Sequence, residues 1–157
     1  MDADSPPAPE IFYDAQDPTD DDGDIQQLLA PKDQPEISLH ALAEVTTPQT
    51  IWVRGFLKKL PLTILIDSGS THNFIDPRIA KQADCFIYHC SRFEVMIANG
   101  GTLPCKGKCR NVEIYMGDYN LCSNMFPFPL GECDVVLGAQ WLRTLGPILW
   151  DFAELWM

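Results

Sequence analysis

The sequence predicts a mainly β domain with one short C-terminal helix, preceded by a disordered acidic tail. Three observations predict this class: many short runs of branched apolar residues, a glycine-rich hairpin signal, and a very uneven distribution of charge. The chain has 157 residues, which is enough for one domain of ordinary size and a tail.

The acidic residues are concentrated at the N-terminus. Residues 1–48 contain twelve acidic residues and one basic residue, Lys32, and so carry the whole net charge of −11. A self-repelling segment with little apolar surface does not offset the entropy lost on ordering. We therefore expect a disordered tail over 1–48 and a folded domain over 49–157. Apolar and polar side chains alternate over residues 37–43. This pattern fits either a linker or a short strand or helical turn that packs on the domain, and we favour the linker.

The predicted domain begins with a hairpin of two strands, residues 50–54 and 60–66. The second of these runs is almost continuously apolar, as in a strand covered on both faces. A helical turn is predicted over residues 76–83, because Asp76 suits the N-cap and Pro77 suits the first helical position.

A second hairpin is predicted further along the chain. Residues 93–97 and 102–103 flank Ala98-Asn-Gly-Gly101, and Asn-Gly between strands is the strongest short hairpin signal. The remaining predicted elements are strands at 111–116, 134–137 and 148–150 and a helix at 139–145.

Composition excludes several classes of function. The negative charge argues against binding to nucleic acid, where Lys and Arg neutralise phosphates. No apolar run reaches the ~20 residues of a membrane-spanning helix, and the acidic N-terminus is not a secretory signal. The six cysteines contain no Cys-x-x-Cys pair, so we expect free thiols rather than a metal site. A metal shared by Cys85, His89 and Cys90 is the weaker alternative, because a strand is predicted between them.

The pattern with the most chemical content is Leu65-Ile-Asp-Ser-Gly-Ser-Thr-His-Asn-Phe-Ile75. Asp67 directly follows an apolar strand, and Gly69 permits a tight turn that points backbone N–H groups at the carboxylate. Three hydroxyl side chains follow in the same turn: Ser68, Ser70 and Thr71. The pattern predicts a carboxylate that is held and oriented, although Asp-Ser-Gly is also ordinary turn chemistry.

This stretch resembles the active-site loop of the aspartic proteases. Cys133-Asp-Val-Val-Leu-Gly138, followed by Trp141-Leu142, resembles the second signature of that family. The joint pattern over residues 37–157 is similar to plant gypsy-type LTR retrotransposon polyproteins. The resemblance implies a retropepsin-like half-barrel.

The resemblance implies an aspartic endopeptidase in which Asp67 is catalytic. Such chemistry needs two carboxylates that share a proton, and the chain has one Asp-Ser-Gly, so the enzyme would be a homodimer. Ser68 would brace the two loops across the two-fold axis, Gly69 would donate its N–H to the carboxylate, and Ser70 would bond the outer carboxylate oxygen. The flap that closes over an extended peptide would consist of Ala98, Asn99, Gly100, Gly101 and Thr102.

The expected partners are a second copy of the chain and a peptide or polyprotein substrate, without nucleic acid, membrane, metal or cofactor. The expected location is intracellular, in the cytoplasm or in a virus-like particle. The alternative is a catalytically silent, truncated retroelement remnant that only dimerises or binds peptide. Two other acidic residues, Asp76 and Asp134, are expected to cap or to accept hydrogen bonds. Ser70 and His72 do not indicate a serine hydrolase, because Gly-x-Ser-x-Gly is absent.

Overall fold

Apolar, branched residues build the centre of the sheet. Strand β3 (Leu60–Ile66) ends in Ile64, Leu65 and Ile66, all of which are buried. It pairs antiparallel with β2 (Ile51–Leu57) and parallel with β8 (Val135–Leu137), so both of its edges are covered. Because neighbouring side chains point to opposite faces, the burial of all three residues confirms the prediction of a hairpin whose second strand is covered on both faces.

A computed structural model describes residues 34–42, 51–151, 153, 154 and 157. This part of the chain is mostly β, as predicted, while the expected disorder of residues 1–33 lies outside it. No helix in it is long and apolar enough to cross a membrane. The elements besides β2, β3 and β8 are β1 (Glu36–Ile37), α1 (Leu39–Leu42), β4 (Phe74–Ile75), α2 (Pro77–Gln82), β5 (Ile87–Ile97), β6 (Thr102–Met116), β7 (Tyr119–Pro127), α3 (Ala139–Leu142) and a 3-10 turn (Arg143–Leu145).

The strands pair in the order β1-β5-β6-β2-β3-β8-β4-β7, and β6 also pairs with β7. Six strands therefore close into a ring, in the order β6, β2, β3, β8, β4 and β7. Because successive side chains of a strand point to opposite faces, β3 contributes side chains to two buried clusters. Ile64 and Ile66 belong to one buried cluster, and Leu65 belongs to the other. Strand β8 lies between β3 and β4, which places the end of β3 beside the end of β8.

Two acidic residues outside the Asp-Ser-Gly loop have the structural roles that the sequence predicted. Asp76 is the N-cap of α2 and accepts a hydrogen bond from the Arg78 N–H at 2.8 Å, while Pro77 is the first residue of the helix. Asp134 accepts a hydrogen bond from the Thr63 N–H at 2.8 Å, which ties the approach to β8 to β3. Asp76 therefore stabilises the start of α2, and Asp134 connects the residues before β8 to β3.

Residues 37–43 are where the favoured interpretation fails. The described part of this segment is a strand and a helical turn rather than a linker, and Ile37 and Ala41 are almost fully buried. The alternation of apolar and polar residues is that of a strand with one buried face. The expected domain boundary at residue 48 stays a prediction, because residues 43–50 lie outside the described part.

The predicted last strand at 148–150 is also wrong. Those residues belong to none of the eight described strands, and only Asp151 forms an isolated bridge. A short apolar run becomes a strand only beside a neighbouring strand edge, and residues 148–150 pair with none of the strands in the described ranges. Trp150 packs against one of the buried clusters instead. The predicted helix at 139–145 is α3 and the 3-10 turn that follows it.

Substituting Asp76 tests a buried polar contribution to the fold. Burial raises the pKa of Asp76, but hydrogen bonds from Arg78 and the Leu130 N–H outweigh it and hold the pKa below its ordinary value. Asp76→Ala should lower the free energy of unfolding at pH 7 by about 2–3 kcal/mol, since it removes a cap and leaves a buried N–H unpaired.

Because the folded-state pKa is depressed, this stabilisation is present above the ordinary pKa of an aspartate and is lost as the pH falls through the folded-state value. Urea unfolding of wild type and Asp76→Ala should therefore converge in strongly acidic buffer. The matched control is Asp118→Ala in the exposed β6–β7 turn, which should change stability little. An equal loss in both variants would contradict the assigned role.

Candidate active site

Asp67 is the first residue after β3. Its backbone N–H donates to the Leu137 carbonyl at 3.0 Å, which continues the β3–β8 ladder by one residue. The side chain is half-buried and leaves the sheet where the ladder ends. The strand pairing thus fixes the position of the carboxylate, as the apolar run before it predicted.

Three donors hold the Asp67 carboxylate. The Gly69 N–H donates to Oδ1 at 3.0 Å, and the buried Ser70 hydroxyl donates to Oδ2 at 2.8 Å. The Ser38 hydroxyl also donates to Oδ2. Hydrogen bonds of this kind stabilise the ionised form of a carboxylate and set its orientation. Gly69 and Ser70 therefore lie where the sequence predicted, and Ser38 is an addition that the sequence analysis missed.

Ser38 escaped notice because it lies 29 residues before Asp67, in the segment interpreted as a linker. The alternation around Ile37 was the available signal, since it predicts a strand with one buried face. Ser68, by contrast, is exposed in this chain. Its expected contact across a two-fold axis involves a second copy and stays a prediction.

The loop that carries Asp67 packs backbone against backbone on the start of α3. The Ala139 N–H donates to the Ser70 carbonyl at 2.7 Å, and the Gln140 N–H donates to the Thr71 carbonyl at 3.0 Å. A Cβ atom at Gly138 would lie 2.4 Å from the Ser70 and His72 carbonyl oxygens. The glycine of the second signature is therefore required for space.

Asn73 completes the connection between the loop and β8. Its buried amide accepts a hydrogen bond from the Gly138 N–H at 3.0 Å and donates one to the Ser123 hydroxyl at 3.0 Å. Its backbone N–H donates to the Gln140 side chain at 3.1 Å. A buried amide that is bonded at both ends resists rotation, so the Asp67 loop rests on a rigid support.

The predicted hairpin exists and is longer than expected, joining β5 to β6 with Met96 opposite Thr102. Its turn is closed by the Gly100 N–H to the Ile97 carbonyl at 2.8 Å, and Gly100 has a φ of +96°, which favours glycine. The five predicted flap residues, Ala98, Asn99, Gly100, Gly101 and Thr102, are all exposed. The Ala98 N–H donates to the Ile37 carbonyl at 3.2 Å, one residue from Ser38.

His72 lies behind the loop and is neutral over most of the acid range. Burial, followed by the nearby charges of Lys108 and Arg143, lowers the pKa of His72 to about 4. The ring contacts Phe126 edge-on at 5.4 Å between centroids, and Nδ1 lies 2.8 Å from the Thr71 hydroxyl. His72 is thus engaged with Thr71 and Phe126, which agrees with the absence of a serine hydrolase motif.

The structure shows no alternative chemistry among the described residues. No three His, Cys, Asp or Glu side chains of the described ranges are grouped so that they could hold a metal ion. The five cysteines whose side chains are described form no disulfide: Cys85, Cys105, Cys109, Cys122 and Cys133. Burial raises the pKa of Cys109 and of Cys133 to about 12, so both remain protonated thiols. Donors converge on two described carboxylates: those around Asp76 cap α2, and those around Asp67 hold the Asp-Ser-Gly loop at the end of β3.

A closed β half-barrel with an Asp-Ser-Gly loop braced by a glycine before a C-terminal helix defines the retropepsin-like class of aspartic protease domains. Residues 37–148 match the family described as retroviral aspartyl protease. This match spans more than half of the chain, and the chain therefore belongs to that family.

Two solved structures match part of the chain at low identity. The retroviral protease-like domain of Ddi1 from Leishmania major is 14% identical, with a TM-score of 0.46, over 64% of this chain and 76% of that one. Lpg0085 from Legionella pneumophila, a protein of unknown function, is 14% identical, with a TM-score of 0.39, over 65% of this chain and 90% of that one. No curated protein matches the chain.

Gly138→Ala should disrupt the support of the Asp67 loop. The added methyl group would overlap two carbonyl oxygens of the backbone, so the loop must move, at a cost of about 1–3 kcal/mol or more. Thermal and urea unfolding measure this loss. The control is Gly117→Asn, in a turn with open space and a positive φ that Asn tolerates. A Gly138→Ala chain as stable as wild type would show that the contact is not tight.

His72 should titrate near pH 4, which an NMR titration of its ring protons measures directly. Because the folded-state pKa lies below the unfolded value of 6.5, the unfolded state binds the proton first. Stability should therefore be complete above pH 6.5 and fall, by at most about 1.4 kcal/mol per pH unit, down to pH 4. His72→Asn should remove this part of the pH dependence. A midpoint near 6.5 would contradict the buried environment.

Proposed function

We propose that this chain is an aspartic endopeptidase that is active as a homodimer. The observation that carries the proposal is the Asp67 carboxylate, held by the Gly69 N–H and the Ser70 hydroxyl at the end of a central strand in a retroviral aspartyl protease domain. The chain contains one Asp-Ser-Gly, and the reaction needs two carboxylates. The second Asp67 would come from a second copy across a two-fold axis.

In the proposed dimer the two carboxylates share one proton, because like charges so close together cannot both ionise. The ionised member removes a proton from a water molecule that attacks the peptide carbonyl, and the protonated member donates to the carbonyl oxygen. The Gly69 and Ser70 donors keep each carboxylate in the plane that this exchange requires. Ser68, exposed at the tip of the loop, is available to brace the partner loop.

The proposed substrate is an extended peptide within a polyprotein. The β5–β6 hairpin supports this, because its exposed turn is connected to the Asp67 loop through residues 37–38. Residues 98–102 would close over the peptide and pair with it as one strand with another. The similarity of the quoted motifs to plant gypsy-type retrotransposons supports a retroelement polyprotein, processed inside the cell or in a virus-like particle.

A second candidate is a catalytically silent module that dimerises or binds peptide. One observation favours it: the Ser38 hydroxyl of the same chain donates to Oδ2 of Asp67. A carboxylate oxygen bonded in this way has less freedom to hold a water molecule. The intact Asp-Ser-Gly loop and its full set of supporting bonds favour the enzyme.

A peptidase assay with subunit mixing tests the proposal. Asp67→Asn should abolish cleavage at mildly acidic pH, since an amide cannot act as the base, and the wild-type rate should rise as the pH falls below neutral because the pair must hold one proton. Adding an equal amount of Asp67→Asn chain should lower the wild-type rate to about half through mixed dimers.

The control for charge loss is Asp118→Asn, which should leave the rate unchanged and should not inhibit on mixing. Sedimentation on the same samples gives the oligomeric state. Cleavage that survives Asp67→Asn, or a rate indifferent to mixing, would contradict the homodimeric mechanism. A folded dimer that cleaves nothing would favour the silent module.

A further inference from the structure

Residues 35–38 form an extended segment beside the end of β5, the strand that leads into the predicted flap. The Met96 N–H donates to the Pro35 carbonyl at 2.8 Å, and the Ala98 N–H donates to the Ile37 carbonyl at 3.2 Å. These bonds add β1 to the edge of β5 in parallel register, with Ile37 opposite Ile97. The segment therefore pairs with the part of β5 that lies just before the turn of the β5–β6 hairpin.

The opposite edge of the same segment is bonded to the Asp67 loop. The Thr71 N–H donates to the Glu36 carbonyl at 2.9 Å, and the Glu36 N–H donates to the Thr71 hydroxyl at 2.7 Å. The Ser38 N–H donates to the Ser70 hydroxyl at 3.0 Å. Odd-numbered carbonyls thus bond the flap and even-numbered residues bond the loop, which is the period of an extended strand between two neighbours.

The segment also reaches the reactive group and fills an apolar site. Ser38 donates its hydroxyl to Oδ2 of Asp67. Ile37, the residue before it, is 0% exposed. It belongs to a buried cluster that includes one residue from each of β3, β4, β5 and β8: Leu65, Phe74, Val95 and Val136.

We propose that residues 35–38 occupy the peptide-binding groove of the enzyme, so that the chain blocks its own active site until the segment is displaced. The inference rests on the proposed function, which places an extended peptide between the flap and Asp67. A strand that adds to a sheet edge and fills a pocket with alternate side chains is how such peptides bind. The segment also defines the substrate class: an extended peptide with a branched aliphatic residue before the residue that meets Asp67.

The attachment of the segment is suited to exchange. β1 contributes two residue pairs to the sheet, both parallel, and parallel pairing is slightly less stable per residue than antiparallel pairing. Beyond Ser38 the chain enters α1, where Leu39 is 49% exposed and Ala41 is buried in the same cluster as Ile37. A substrate strand would replace the same backbone bonds without unfolding the strands β2 to β8.

The test compares two full-length variants that gain the same charge two residues apart. Ile37→Asp places a carboxylate in the apolar cluster and should expel the segment, whereas Leu39→Asp changes an exposed side chain at the start of α1 and is the matched control. The probe is a fluorescent peptide that copies residues 34–42. Binding is measured by anisotropy in the Asp67→Asn background so that the probe is not cut, and circular dichroism monitors folding.

The Ile37→Asp variant should bind the probe about tenfold more tightly than either the chain with the wild-type segment or the Leu39→Asp variant does. The reason is that its groove no longer has an internal occupant. With Asp67 restored, the kcat/KM of Ile37→Asp on a peptide of the same pattern should rise by a similar factor. Glu36→Pro, which deletes the N–H bonded to Thr71 but keeps Ile37, should act in the same direction.

Three results would overturn the inference. The first is equal probe binding by all variants. The second is a loss of kcat/KM in Ile37→Asp together with unchanged probe binding. The third is unfolding of both Ile37→Asp and Glu36→Pro, because a segment that leaves the groove cannot be indispensable to the fold. Failure of the proposed function is distinguishable. If no variant cleaves but Ile37→Asp binds the probe tightly, the groove is occluded in a silent module, and the inference about the segment stands.

Discussion

The backbone contact between the Asp67 loop and Gly138 holds the site in place. β8 is inserted between β3 and β4, and its end approaches the loop so closely that no side chain fits at residue 138. Asn73 bonds the Gly138 N–H, and α3 begins by donating to loop carbonyls. Carboxylate chemistry needs a group whose orientation does not change during the reaction, and a loop fixed on both sides supplies it. The pairing of three strands is thus the physical origin of the site.

Two perturbed groups close to the site respond to pH in the same direction. His72 is buried in its neutral form and destabilises the fold as it is forced to ionise. Asp76 keeps its charge to lower pH because Arg78 and the Leu130 N–H bond it, and its contribution to stability is also lost on acidification. In the proposed dimer the shared proton would favour acidic conditions, so the stability of the fold would limit activity on the acidic side.

The segment around Ile37 connects the β5–β6 hairpin to the Asp67 loop. It bonds the flap strand on one edge and the Asp67 loop on the other, and the family match begins at residue 37. Its strand is two residues long, and the segment combines backbone hydrogen bonds to both neighbours with a fully buried Ile37 side chain. In the proposed exchange, an extended substrate would replace these contacts.

Local signals in the sequence determined the β3 strand, the Asp-Ser-Gly turn, the Asn-Gly hairpin and the Asp76 cap, because each depends on side chains within a few residues of one another. Local signals also favoured a strand at 148–150, which failed because an apolar run does not show whether a strand edge lies beside it, and none of the described strands pairs with these residues. Only the tertiary structure decided that Ser38 reaches Asp67 across 29 residues and that Gly138 meets Asn73 across 65. Contacts at such separations depend on how the strands are ordered in the sheet, and the periodicity of a single segment carries no information about that order.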